Sequence, residues 1–317
     1  MILVAGSANL DFVVRASHIP APGETVLGRN FQSFPGGKGA NQAVACARAG
    51  GVTTHMLLAL GDDAFAAPLE ASLISAGVQM HIVRVKNQAT GTAFVCVADD
   101  AENAITVAPG ANSSLSATDL PPLAGFTHLL LQLEIPIDTV CAYASAAKAQ
   151  GVKVILNAAP AQQLTPELLK LIDVLVVNQT ELAVLAGNRG SIAQCLAQLG
   201  VPCVVVTLGR QGSVAWSNGV LSAQPAFKVT AVDSTGAGDT FCGVLVAAIS
   251  QGSELPQALR RASAAASLAC TRLGGQVGIP TQSEVTHLLA RQTAPMETDK
   301  AQLRKFCGFD HESALGL

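Results

Sequence analysis

Four short apolar runs in the middle of the chain each hand a polar group to the residue that follows them. Leu129–Leu133 ends in Glu134, Val154–Leu156 in Asn157, Val174–Val177 in Asn178–Glu181 (NQTE), and Val204–Val206 in Thr207–Gly212 (TLGRQG). The intervals between them are long enough for a helix, so the runs read as buried parallel strands joined by helical crossovers. Parallel strands need helices on both faces, which gives an α/β fold of three layers, α/β/α, around a mostly parallel central sheet. Any one of these polar residues would usually be a cap or a turn former. Their recurrence at the same end of four strands places a site along the carboxyl edge of the sheet.

The first strand of that sheet is Ile2–Ala5, which leads into GSANLD and delivers Asn9 and Asp11. The G-x-G-x-x-G spacing of a dinucleotide site is absent from it. His55–Leu60 and Gly77–Val85 bracket a helix begun at Asp62 or Asp63, a further β-α-β unit. Two stretches break the alternation. Phe12–Arg15 and Thr25–Phe34 are extended, with Pro20, Pro22 and Gly23 between them, and Thr92–Ala98 and Ala104–Ala108 flank an Asp99–Asn103 turn. Neither pair has a crossover helix, so the two predict one small β-sheet lid that is discontinuous in sequence. The expected organisation is an α/β domain of residues 1–11, 36–88 and 109–290, a lid of residues 12–35 and 89–108, and a polar tail of residues 291–317 in which Glu297–Phe306 has helical character. Ser213–Trp216 and Val220–Ala223 read as a hairpin, and Pro256–Ala269 as a helix.

Two glycine-rich stretches carry chemistry. In Ala231–Phe241 (AVDSTGAGDTF), Gly236, Ala237 and Gly238 precede Asp239 and a long apolar run that reads as a buried helix. Such a loop aims backbone N–H groups and the positive end of the helix dipole at one point, which suits a phosphate. A carboxylate at that mouth can take a proton from a hydroxyl beside the phosphate, or it can simply cap the helix. The second stretch is Pro35–Gln42 (PGGKGANQ) before a helix Ala40–Ala49. A P-loop would need glycine where Gln32 stands and Ser or Thr where Gly39 stands, so that reading fails. A close backbone approach at Gly36, Gly37 and Gly39, with Lys38 and Asn41 as donors, suits a polyhydroxylated ligand; a tight turn before a helix is the other reading.

Composition narrows the partners. A net charge of −3 among 317 residues offers no basic field for nucleic acid or an acidic membrane. The apolar runs stop well short of the roughly 20 residues a membrane span needs, and the start lacks a basic leader, so a cytoplasmic protein acting on small molecules is expected. The eight cysteines are scattered without C-x-x-C spacing, as buried reduced thiols are.

Taken together, TGAGD with Asp239, the early GGKGANQA, the NQTE element and their order resemble the ribokinase-like (PfkB) family of sugar kinases, over about Ile2 to Ala290. The resemblance implies an ATP-dependent kinase in which Asp239 is the general base and the backbone of Gly236, Ala237 and Gly238 is the anion hole. It implies a sugar-binding set of Asn9, Asp11, Gly37, Lys38, Asn41 and Glu134. Asn178 and Glu181 would organise magnesium, largely through water, and Asn178, Thr207, Gly209 and Gly238 would meet the nucleotide. Asp233, Thr235, Cys270 and Gly275 match the family's potassium site. Cys242 and Ser263 depart from the Asn and His often found at those positions, the latter near the adenine, so a different nucleotide affinity or preference is expected. The expected acceptor is the primary hydroxyl of a pentose, D-ribose at O5, since Asn9 and Asp11 suit a cis-diol; deoxyribose, another furanose or a nucleoside is the alternative. A non-catalytic sugar or nucleotide sensor would keep the fold and lack the chemistry, and a dinucleotide-dependent oxidoreductase lacks its glycine fingerprint. The bare edge or face of a small lid sheet predicts a homodimer formed lid to lid.

Overall fold

The computed structural model describes residues 1–100, 102–187 and 190–309. The chain opens with β1 (Ile2–Ala5), β2 (Asn9–Arg15), β3 (Arg29–Gly36), α1 (Lys38–Val44), β4 (Thr54–Gly61), α2 (Ala66–Ser75), β5 (Gln79–Val85), β6 (Gly91–Val97) and β7 (Asn103–Ala108). Strands and helices then alternate: β8 (His128–Leu131), α3 (Ile137–Ala149), β9 (Lys153–Asn157), α4 (Pro166–Leu171), β10 (Val174–Asn178), α5 (Gln179–Leu185), α6 (Ile192–Gln198) and β11 (Cys203–Thr207). A hairpin of β12 (Gly212–Ser217) and β13 (Val220–Pro225) precedes α7 (Ala237–Ser250), α8 (Leu255–Ala269), α9 (Gly275–Gly278), α10 (Gln282–Arg291) and α11 (Glu297–Phe306).

The large sheet has the order β13-β12-β11-β10-β9-β8-β1-β4-β5. Every pair from β11 to β5 is parallel, and the β11–β12 and β12–β13 pairs at one edge are antiparallel. Alternate side chains of each strand feed two separate cores, as a sheet covered on both faces requires. Ile2, Val4, Met56, Leu130, Ile155 and Val205 pack under α1, α2, α7 and α8, whereas Leu3, Leu57, Leu129, Leu156, Val204 and Val206 pack under α3, α4, α5 and α6. The expected three-layer architecture is the one observed.

The small sheet has the order β3-β2-β6-β7, with a parallel β2–β6 pair between two antiparallel ones. Its first strand starts earlier than the expected boundary at residue 12. Asn9 pairs with both Gly36 and Gly91, so the ladder runs down to the junction with the large sheet and carries Asn9 and Asp11 with it. Its second strand starts at Arg29 and leaves Thr25–Gly28 outside the ladder. The turn expected at Asp99–Asn103 includes Ala101, which lies outside the described residues.

Residues 297–309 of the expected tail pack against the α/β domain. In and just beyond α11, Leu303 and Cys307 are buried in the core under β12 and β13, the Phe309 ring stacks on Trp216 at 5.8 Å, and the Cys307 carbonyl accepts from the Ala193 N–H at 3.0 Å. The helical character of Glu297–Phe306 exists because these partners cover its apolar side, contacts no local pattern reveals. Residues 310–317 of the expected tail lie outside the described residues.

Candidate active site

The site is built where α7 begins. Gly236 precedes the helix in the left-handed conformation, φ 73°, and Asp239 falls in the first turn, only 8 % exposed. The two carboxylate oxygens of Asp239 are held separately: Oδ2 accepts from Asn41 Nδ2 and Oδ1 from Gln42 Nε2, each at 2.9 Å. Burial raises the Asp239 pKa; Lys38 and the two amides pull it down, and Glu134 pushes it up again. A buried carboxylate with oriented oxygens and a raised proton affinity is suited to general-base work.

Asp11 faces the same point from β2. Its pKa is raised to about 7, first by burial and then by the carboxylates of Glu134 and Asp239, with Lys38 opposing. Glu134 accepts from the Ser7 hydroxyl at 2.5 Å and from the Lys38 N–H at 3.1 Å, which pins the start of α1 against the first strand. Desolvation acts to lower the Lys38 pKa, but Asp239, Glu134, Glu181 and Asp11 together raise it, so the ammonium is the shared counter-charge of four carboxylates. Asn9, Asp11, Gly37, Lys38, Asn41 and Glu134 therefore gather from β2, the start of α1 and the end of β8 on one side of Asp239.

On the other side lies a cavity of about 160 Å³ lined by Lys38, Asn157, Asn178, Glu181, Thr207, Gly236, Gly238 and Asp239. Asn178 and Glu181 form a reciprocal cap on α5: Asn178 donates through its N–H and Nδ2 to the Glu181 carboxylate at 2.8 and 2.9 Å, and its Oδ1 accepts from the Glu181 N–H at 2.8 Å. Among the described residues no three His, Cys, Asp or Glu side chains converge as a metal cage. The carboxylate of Glu181 and the amide of Asn178 are donors that fit a magnesium ion which keeps most of its waters. Gly209 lies just beyond β11, at the start of the turn that leads into β12.

The loop before α7 is tethered from within. Asp233 accepts from the Thr235 N–H at 2.9 Å, the Thr235 hydroxyl at 2.7 Å and the Gly274 N–H at 2.9 Å, and the Cys270 carbonyl accepts from the Val232 and Asp233 amides at 2.7 and 3.1 Å. Asp233, Thr235 and Cys270 are thus one cluster beside the glycine loop, and Gly275 lies against Gly236 of that loop. The Asp233 pKa is lowered: burial acts to raise it, and these donors outweigh burial.

Known proteins resemble this chain in sequence and in fold. The profile of the pfkB family carbohydrate kinases matches residues 1–282. The chain belongs to this family. A ribokinase of Haemophilus influenzae is 38% identical over 91% of this chain and 98% of its own length, and a deoxyribokinase of Salmonella typhi is 32% identical over 91% and 98%. The structure of Arabidopsis thaliana ribokinase complexed with ribose and ATP superposes with a TM-score of 0.85 at 35% identity, covering 92% of this chain and 99% of that one. As a pfkB-family member the protein is an ATP-dependent sugar kinase. Helix α11 lies beyond the stretch that the family profile matches.

Within this pfkB kinase, the sequence left several site residues unassigned. Gln42 is fully buried and donates to Asn157 Oδ1 at 2.9 Å as well as to Asp239, while its own Oε1 accepts from Gln132 Nε2 at 2.7 Å. The adjacency of Gln42 to Asn41 was the only local signal. Cys242, one of the two departures, is fully buried in the core face of α7 and does not line the cavity; Ser263 is buried on α8.

Proposed function

We propose that this kinase transfers the γ-phosphoryl group of ATP to the primary hydroxyl of D-ribose, giving ribose 5-phosphate. The observation that carries the reading is the facing arrangement of Asp11 on β2 and Asp239 on α7, with an open helix N-terminus beside Asp239. The sugar's secondary hydroxyls meet Asn9 and Asp11, which leaves the primary hydroxyl at Asp239. Asp239 accepts the hydroxyl proton as the oxygen–phosphorus bond forms and the bond from the γ-phosphorus to ADP breaks. The N–H groups of Gly236, Ala237 and Gly238 receive the charge on the transferred phosphoryl oxygens, the chief service a protein renders in such a transfer. Magnesium, when bound near Asn178 and Glu181, supplies charge neutralisation at the phosphates, and Thr207 and Gly209 meet the nucleotide.

We further propose a potassium ion at Asp233, Thr235, Cys270 and Gly275, beside the anion-binding loop, and a homodimer formed through the small sheets. Eight cysteines, five of them buried, fit a reducing compartment and hence the cytoplasm. Among the described residues no helix is long and apolar enough to cross a membrane. The likeness to a deoxyribokinase supports 2-deoxyribose as the second candidate sugar. A coupled ADP-release assay across pentoses, hexoses and nucleosides, with and without potassium, tests the reading. D-Ribose with the highest kcat/KM and a potassium-dependent rate is expected; a nucleoside or hexose as best substrate would replace the assignment.

A further inference from the structure

Asn112 lies in the short 3-10 turn Gly110–Ser114 that follows β7, and it is 1 % exposed. Its side chain is fully engaged with the junction between β1 and β2. Oδ1 accepts from the Ala8 N–H at 3.0 Å, and Nδ2 donates to the Ala8 carbonyl at 3.3 Å and to Asn9 Oδ1 at 2.8 Å. The order of these bonds has only one solution. A backbone N–H can only donate, so Asn112 must turn its oxygen to Ala8; its nitrogen then faces Asn9, and Asn9 must answer with oxygen.

We propose that Asn112 is a positioning residue for sugar selection, because it fixes which end of the Asn9 amide faces the substrate. The Asn9 Nδ2 group, which donates to no other described residue, is left as a donor on the same strand face as the Asp11 acceptor two residues on. A donor beside an anionic acceptor matches a secondary hydroxyl, whose oxygen takes the Asn9 hydrogen while its own hydrogen goes to Asp11. A sugar lacking that hydroxyl leaves both groups unpaired. Gly91 at the start of β6 belongs to the same device: a Cβ there would overlap both Asn112 Nδ2 and Asn9 Oδ1, so only glycine leaves room for the pair. This inference rests on reading the site as a pentose site and adds the residue that sets its polarity.

The test is calorimetric binding of D-ribose, 2-deoxy-D-ribose and ATP to the wild type, Asn112→Asp, Asn9→Ala and the double variant. In Asn112→Asp a carboxylate can no longer donate to Asn9, so Asn9 turns its Nδ2 inward and its oxygen to the sugar. Ribose affinity is expected to fall about 10- to 100-fold, the loss of a charge-assisted pairing. The preference for ribose over 2-deoxyribose should narrow, and ATP affinity should stay unchanged. In the Asn9→Ala background the Asn112→Asp change should have no further effect on ribose, since the two act through one contact. A wild-type sugar preference in Asn112→Asp, or additive effects in the double variant, would overturn the inference, and a lowered melting temperature alone would assign Asn112 to stability. Should Asn112→Asp not fold, Gly91→Ala carries the same expectation and a retained preference there the same refutation. Wild-type protein that binds neither sugar would overturn the pentose reading itself, and this inference with it.

Discussion

Gly238 has no side chain, and nothing in the protein fills the place where one would go: a Cβ there meets no atom within 4 Å. Gly236 is the opposite case, since its Cβ would lie 2.9 Å from the Gly275 Cα and its backbone is left-handed. The fold needs Gly236, whereas the space over Gly238 is free for a phosphoryl group. Gly238→Ala is therefore expected to hold or slightly raise the melting temperature, alanine being the better helix former, while turnover falls tenfold or more because a methyl group enters the phosphate's place. Wild-type turnover in that variant would show that the open space has no part in transfer. Asp11 gives a pH-dependent expectation. Its folded pKa of about 7 lies above the ordinary 3.8, so the protonated form favours folding. That contribution is complete below pH 3.8 and is lost progressively as pH rises to 7, at most about 4 kcal/mol. Thermal melts of the sugar-free Asp11→Asn protein should show a gain over wild type that grows from pH 4 to 7 and then levels. The same variant should lose ribose affinity, and wild-type affinity should rise with pH through about 7. A stability gain independent of pH would contradict the role given to burial and to Glu134 and Asp239.

At the scale of elements, the small sheet presents two different faces. Asp11 looks into the site, while Phe12 on the other face stacks on Phe31 and Phe94 at 5.9 and 5.6 Å and meets the Phe65 edge at 5.4 Å. Phe31 and Phe94 are 66 % and 55 % exposed and border a cavity of about 720 Å³ lined with Phe12, Val14 and Phe65, an apolar face that a second copy would cover. Sedimentation velocity at micromolar concentration is expected to give a dimer that Phe31→Glu with Phe94→Glu converts to monomer; a wild-type monomer would refute lid pairing. The strands β8 to β11 were legible to within one or two residues because both faces of each are buried, which writes an uninterrupted apolar run into the sequence. The start of β2 was not, since Asn9 and Asp11 break the apolar pattern just where the ladder begins. The helix α11 was legible as a helix, but its docking on β12 and β13 depends on Trp216, Phe309 and Cys307 meeting across long stretches of chain. Gln42, Gln132 and Asn112 were illegible as site residues for the same reason: each is a neutral amide whose role exists only through partners 90 or more positions away.

The whole molecule brings together two groups of residues that the chain keeps apart. Asn41 donates to Asp239 across 198 positions, and β1, between β8 and β4 in the large sheet, leads into the residues proposed for the sugar, while β10 and β11 end at those proposed for the nucleotide. The parallel sheet does this because every strand from β11 to β5 ends at the same edge, and helix α7, packed on one face of the sheet, begins there and brings Asp239 to Asn41 and to the cavity lined by Asn178 and Glu181. Separation of binding from chemistry is the consequence most open to trial. Asp239→Asn keeps the shape of the side chain and removes the proton acceptor. The decisive measurement is phosphorus NMR of D-ribose and magnesium ATP turned over by wild type and by Asp239→Asn, with ribose and ATP affinities measured on the same samples. Ribose 5-phosphate from the wild type is expected, with turnover lower by roughly 10²–10⁴-fold in the variant and both affinities retained. Near-normal turnover by Asp239→Asn, or no phosphorylated pentose from the wild type, would contradict the assignment of Asp239 as the base of a ribose-phosphorylating kinase.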